Sequence, residues 1–390
     1  DEYHDGNVKL CPPIFEPHLL NLERARAIRE SCDVLVNISG AIMDVQEAER
    51  VLREGAADLV LLGRSLVADP FWPKKVLEGR EDDIVPCIRC NNCYHIATEH
   101  FNTCCTVNPR VYRENRVPLT LPRAQTARSV VVVGGGPAGL KAALTAAQRG
   151  HQVTLVEQSG ALGGLMIPAS VGAFKEDLRR YLSYLRRQVE KSQIHVMLHT
   201  RADRALLEHL HPDAVILAVG GRAVMPPVPG LGTSGAVQAV ALLNAGLETA
   251  GTRVTILGGG SIGCELALEL AALDRMVTVV ELRDKLAANG NELYRQDLML
   301  HLEQETRITI LTQTVCTGVT AQGCTVREKD GGTRVIPHDT FVIAAGLRAD
   351  ADAVEALYGV VPETYYVGDC KRAASITEAT TEAYFLGASL

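Results

Sequence analysis

The sequence predicts an α/β protein built on parallel strands, and three observations carry that expectation. A Gly-rich fingerprint occurs twice, five cysteines crowd into nineteen positions ahead of it, and strand–helix pairs precede the cysteines. VVVVGGGPAGLKAAL at 130–144 resembles VTILGGGSIGCELAL at 254–268, offset by 124 residues. Each copy is a β-branched run, then G-x-G-x-x-G, then an Ala- and Leu-rich helical pattern. Each is followed by a strand ending on an acid, Glu157 or Glu281, 23 residues after the first Gly.

The spacing has a physical reading. Gly134 and Gly258 permit the tight turn, and Gly136 and Gly260 let the backbone approach a diphosphate. Gly139 and Gly263 let helix and strand pack closely. A diphosphate then sits on free N–H groups at a helix N-terminus, and the acid accepts hydrogen bonds from ribose hydroxyls. Two dinucleotide-binding domains are expected.

Length and composition agree. At 390 residues the chain exceeds one ordinary core, so two or three domains are expected. A net charge of −7 with no Lys/Arg run argues against a nucleic-acid partner. No apolar stretch reaches the roughly 18 residues of a membrane span. Eleven cysteines, an odd number with five of them clustered, argue against a disulfide framework. No signal peptide is read, and a reducing, cytoplasmic compartment is expected.

Ahead of the cysteines, 20–32 is helical by spacing, 33–42 reads as a buried strand, and 44–56 is a second helix opening at the N-cap Asp44. Another strand and a Gly-Arg follow within 57–70. Apolar strands alternating with helices mean a parallel βα arrangement. Two such units cannot close a sheet. Either they pack on another chain, or preceding units of a barrel are absent.

CIRCNNC at 87–93 presents Cys87, Cys90 and Cys93 as C-x2-C-x2-C. That spacing lets one segment wrap three corners of a [4Fe–4S] cubane, with a fourth ligand further along, Cys104 or Cys105. A structural zinc site builds from two separated pairs, and no second pair is present. Cys11, Cys32, Cys264, Cys316, Cys324 and Cys370 are scattered singly and read as packing residues.

Later segments separate the two fingerprints. LGG at 162–164, YYVGDC at 365–370 and ITEA at 376–379 resemble the extra FAD segments of the two-dinucleotide-binding flavoproteins. That resemblance assigns the first copy, with Gly163 and Gly164, to FAD. It implies that Gly368 and Asp369 meet the ribityl chain; a helix N-cap is the alternative role for Asp369. DAVILAVGG at 213–221 and FVIAAG at 341–346 resemble the segments that join the two domains. The second copy then binds a nicotinamide dinucleotide. Glu281 would repel a 2′-phosphate, which favours NADH over NADPH, although Arg283 lies nearby.

GRSLVADPFWPKK at 63–75, the cysteine cluster, TVNPR at 106–110 and the two fingerprints together resemble the iron–sulfur flavoenzymes related to 2,4-dienoyl-CoA reductase. 2-Enoate reductase, bile-acid and isoflavone ene-reductases and trimethylamine dehydrogenase are members or relatives. The resemblance spans essentially the whole chain. It implies the C-terminal part of a longer enzyme whose FMN-binding (β/α)8 barrel of the old yellow enzyme type is truncated here. On that basis 1–85 is the end of the barrel and 86–127 the iron–sulfur segment. Residues 128–228 with 341–390 form the FAD domain, and 229–340 the NAD(P)H domain. The resemblance places Gly40, Gly63 and Arg64 at FMN, His4 at the catalytic position of the dienoyl-CoA branch, and Cys105 as fourth cluster ligand. This chain departs from the pattern at Ala41, where that branch has Arg. It departs again in the x2 spacing before Cys93, which is that of the amine-dehydrogenase branch.

The implied function is an NADH-dependent ene-reductase acting on a small unsaturated carbonyl compound, with electrons passing from NADH to FAD, cluster, FMN and substrate. An amine dehydrogenase and an electron-transfer module without its own substrate site are the rival readings.

Overall fold

In the computed structural model, which describes residues 10–99 and 101–390, the chain forms two compact units. The first takes the chain up to Met166, then Glu176–Gly221 and Ala349–Leu390; the second takes Ile167–Lys175 and Arg222–Arg348.

The first unit opens with helix α1 (Leu22–Ser31), strand β1 (Asn37–Ile38), helix α2 (Val45–Arg53) and strand β2 (Leu59–Val60). Asp44 caps α2 as expected, its carboxylate accepting from Glu47 N at 2.8 Å. Val45, Ala48 and Val51 recur at helical spacing and bury α2 against Ile38, Leu22 and Trp72. β1 pairs with β2 in parallel over two residues only. Longer strands were expected, but among the described residues each has a single neighbour, and Leu35, Leu59 and Leu61 are exposed. The cysteine segment follows and includes the short helix α3 (Asn92–Thr98).

Four consecutive valines make up most of β3 (Ser129–Val133), which leads into α4 (Pro137–Gln148), whose Pro sits in the first turn where no N–H is needed. Strand β4 (Gln152–Val156), helix α5 (Glu176–Lys191), strand β5 (His195–Met197) and the fully buried β6 (Ala214–Leu217) follow.

The second unit repeats the plan with β7 (Val237–Gln238), β8 (Arg253–Leu257), α6 (Ser261–Ala272), β9 (Met276–Val280) and β10 (Ile308–Leu311). An antiparallel meander, β11 (Val315–Val319), β12 (Gly323–Arg327) and β13 (Thr333–Pro337), precedes β14 (Thr340–Ile343). The parallel sheet runs β10-β9-β8-β14-β7. The boundary expected at 340/341 therefore cuts through a sheet: β14 is hydrogen-bonded between β8 and β7, and the unit ends at Arg348.

The chain returns to the first unit with β15 (Thr364–Tyr366) and α7 (Ile376–Ser389), the latter opened by a capping box of Ser375 and Glu378. The completed parallel sheet runs β15-β6-β3-β4-β5. In both sheets the fingerprint strand is central, so its carboxyl end and Gly-rich turn stand at the crevice where such sheets bind ligands.

Candidate functional site

The two Gly-rich turns share one geometry. A Cβ on Gly139 would stand 1.8 Å from Gly134 O, and one on Gly263 would stand 2.0 Å from Gly258 O. Only glycine allows that approach of helix to turn. Gly134 and Gly258 take φ of 106° and 115°, and a Cβ there would meet the carbonyl oxygens of Ala218 and Ala344 at 2.3 and 2.4 Å. The second glycine is open: around a Cβ on Gly260 nothing lies within 4 Å, and on Gly136 only Gly164 Cα, at 4.0 Å. Each turn therefore leaves backbone free for a diphosphate at the helix N-terminus.

The two acids match as well. Glu157 Oε2 accepts from Gly135 N at 2.6 Å and its Oε1 from Ser159 N at 2.7 Å. Glu281 accepts from Gly259 N and Arg283 N at the same two distances. Each oxygen keeps a lone pair for a ribose hydroxyl. The residues present fit a dinucleotide in both units.

A further correspondence escaped the sequence reading. Gly163 N donates to Gly135 O at 2.7 Å, and Ala287 N donates to Gly259 O at 2.8 Å. Leu162 packs over Gly135 as Leu286 packs over Gly259. The 124-residue offset thus runs on past the acids, aligning LGG with Leu286-Ala287-Ala288. The glycines make the difference. Gly163 and Gly164 take φ of 135° and 51°, and a Cβ on Gly164 would lie 2.9 Å from Gly136 Cα. Gly163 and Gly164 roof the first turn with backbone alone, whereas Ala287 and Ala288 bring methyls to the second. Gly368, at φ 72°, packs on the same helix start, where a Cβ would come 2.8 Å from the Ala138 methyl. Asp369 caps no helix; its Oδ1 accepts from Ala374 N at 3.2 Å, and burial raises its pKa.

Cys87, Cys90, Cys93 and Cys105 line one pocket, together with Arg64; Cys104 is not on its wall. Burial pushes the Cys87 thiol up to about 11 and Cys93 to about 12, the latter helped by Cys87 and Cys90, and holds Cys105 well above the ordinary range. Converging thiols become thiolates when a cationic centre neutralises them. The donor set fits an iron–sulfur cluster.

Hydrogen bonds from remote parts of the first unit shape this loop. Arg89 and Asn91 are left-handed at φ 47° and 58°, and both are buried. Arg89 donates from Nε to Asp177 on α5 at 2.6 Å and from Nη1 to the carbonyls of Pro13 and Glu16, both at 2.7 Å. Burial opposes charge on His18, but hydrogen bonds to Asp177 and Glu47 outweigh it and raise His18 to about 9. On the other side, Asn92 Nδ2 donates to Thr377 Oγ1 at 2.8 Å, Thr106 and Thr377 hydroxyls meet at 2.7 Å, and Thr380 Oγ1 donates to Thr106 O at 2.6 Å. None of these partners was singled out from sequence, because every pairing but His18–Glu47 spans 70 to 290 residues of chain.

Gly40, at φ 119°, follows β1, and a Cβ there would strike the Asn21 amide at 2.6 Å. Gly63 is exposed with open space around it, at the start of the short helix Arg64–Ala68. Arg64 Nη1 donates to Pro12 O at 2.9 Å and to Asn91 Oδ1. Ala41 stands left-handed at φ 54°. An anion at Gly63 and Arg64 is compatible with the open space there. His4 lies outside the described residues.

The pyridine nucleotide-disulphide oxidoreductase family model matches residues 128–383. Bilirubin reductase of Mediterraneibacter gnavus is 33% identical over 98% of this chain and 59% of that protein. NADH oxidase of Thermoanaerobacter brockii is 35% identical over 87% of this chain and 54% of its own length. The chain thus spans somewhat more than half of these curated relatives. A solved structure of 2-naphthoyl-CoA reductase with 2-naphthoyl-CoA superposes with a TM-score of 0.93 at 26% identity, over 97% of this chain and 57% of that one. No helix among the described residues is long and apolar enough to cross a membrane. With two equivalent dinucleotide turns and a match over most of the chain, the protein belongs to the pyridine nucleotide-disulphide oxidoreductase family.

Proposed function

We propose that the chain is the nicotinamide-fed part of an NADH-dependent ene-reductase that reduces a C=C bond conjugated to a carbonyl, of the 2-enoate or enoyl-CoA type. The observation that carries this reading is the four-thiol pocket in the same unit as the first dinucleotide turn. A single-electron carrier beside a flavin site is useful where two flavins exchange electrons. The names of relatives support it: bilirubin reductase, and cinnamate reductase of Clostridium sporogenes, 29% identical over 96% of this chain.

In this reading Gly134, Gly136, Gly139, Glu157, Gly163, Gly164, Gly368 and Asp369 hold FAD, and Gly258, Gly260, Gly263 and Glu281 hold NADH. Cys87, Cys90, Cys93 and Cys105 hold a [4Fe–4S] cluster, and Gly40, Gly63 and Arg64 hold FMN at the end of a barrel whose other strands lie outside this chain. When bound, these groups supply hydride acceptance from NADH, single-electron carriage and hydride delivery to the alkene. The chain's own residues bind and orient: turn glycines admit phosphate, Glu157 and Glu281 fix riboses, and the clamp on Arg89 keeps the thiols converged. His4 is assigned a catalytic role by the resemblance to the dienoyl-CoA branch.

An amine dehydrogenase is the second reading, favoured by dimethylamine dehydrogenase of Hyphomicrobium, 31% identical over 39% of this chain. The second turn with its acid, Glu281, speaks for a nicotinamide donor and against it. The test is an anaerobic titration of the product of the whole gene. NADH is expected to bleach the flavin absorbance, cinnamate to restore it, and iron and acid-labile sulfide to be present at four each per chain. Bleaching by a secondary amine but not by NADH would overturn the proposal.

A further inference from the structure

We propose that Arg64 is a fixed cation that raises the reduction potential of the iron–sulfur site, a role distinct from any hold on an FMN phosphate. The inference rests on the cluster reading above. Arg64 lines the pocket with the four cysteines. Its Nη1 is held by Pro12 O at 2.9 Å and by Asn91 Oδ1. Asn91 lies between Cys90 and Cys93, is 3% exposed, and is itself fastened by donating to Cys11 O at 2.8 Å. The guanidinium therefore cannot swing out without breaking the loop that carries two of the thiols.

Both of its fixed partners are neutral. Arg89, the other arginine of this loop, is paired with Asp177, whereas among the described residues no carboxylate faces Arg64. Its positive charge stands on the wall of the pocket that the four cysteines share. A cluster held by four thiolates is anionic and gains one more negative charge on reduction, so a cation in a half-buried wall stabilises the reduced form more than the oxidised one.

The test uses the full-length holoenzyme with Arg64→Gln and Arg64→Lys, titrated anaerobically while the reduced-cluster electron paramagnetic resonance signal is followed. In R64Q the ratio of reduced to oxidised cluster at a fixed potential is expected to fall at least tenfold, a shift of ~59 mV to more negative potential for one electron. R64K is expected to stay within threefold of the parent. If R64Q does not fold, Arg64→Met, which keeps the apolar stem, is read in the same way. Iron retained with an unchanged potential overturns the proposal. Loss of FMN with an unchanged potential also overturns it and leaves Arg64 a phosphate ligand alone. A parent enzyme without iron overturns the cluster reading beneath it.

Discussion

The two Gly-rich turns are nearly superimposable in their contacts, and they differ in what lies above them. Each has the same left-handed first glycine, the same collision that forbids a side chain at the third, and an acid accepting two backbone N–H groups at equal distances. Over the first, the backbone of Gly163 and Gly164 comes down to Gly136; over the second, Ala287 and Ala288 stand in those places, and Gly260 is left with open space. The binding chemistry was duplicated, and the two roofs differ by the methyls that Ala287 and Ala288 carry where the first turn has Gly163 and Gly164.

The largest effect comes from the third glycines. Gly139→Ala and Gly263→Ala each drive a methyl into a carbonyl oxygen at about 2 Å, which costs roughly 4 kcal/mol or more. G139A is expected to purify without flavin and with a sharply lowered Tm. G263A is expected to keep flavin and to lose bleaching by NADH. Identical phenotypes, read by absorbance and thermal melting, would break the division of labour.

Roof substitutions sharpen the comparison. Gly164→Ala sets a methyl 2.9 Å from Gly136 Cα, and crowding of this size costs about 1–3 kcal/mol. Flavin affinity is expected to fall by tenfold or more when apoprotein is back-titrated with FAD. Ala288→Gly, its counterpart, is expected to leave the Kd for NADH within threefold.

Charge at the second acid comes next. Glu281→Ser removes the carboxylate that repels a 2′-phosphate, and the preference for NADH over NADPH is expected to drop about tenfold in initial rates, the size of ~1.4 kcal/mol. Glu157→Ser is expected to leave that preference unchanged.

The smallest effect is pH-dependent and confined to the first unit. His18 is raised in the folded protein from an ordinary 6.5 to about 9. Its stabilisation is therefore complete below pH 6.5 and lost as pH climbs through about 9. The parent's melting temperature is expected to decline across that window by a few degrees relative to His18→Gln. A parallel decline in both proteins would remove His18 from the account.

What was legible in the sequence was local or repeated. The turns could be read because G-x-G-x-x-G and its acid recur at one spacing, and Asp44 because an N-cap acts three residues ahead. The thiol loop could be read because three of its cysteines lie within seven positions. The Arg89–Asp177–His18 network was hidden, since a single sequence gives no signal for a pairing 88 or 159 residues apart. The strands at 33–42 and 57–70 were overestimated: apolar content predicts burial, but a strand extends only as far as it finds partners. The Ala287 counterpart of LGG was in plain register, and the loss of both glycines concealed it.

The threonine seam between Thr106 and the helix at 376–389 has a consequence for biosynthesis. The thiols at 87–105 leave the ribosome well before the residues that tie their loop to Thr377 and Thr380. During translation the nascent chain thus carries a set of unclosed sulfur ligands for the time needed to make about 270 further residues, on the order of tens of seconds at usual elongation rates. Closure of this ligand set around any metal would wait for synthesis of the helix at 376–389.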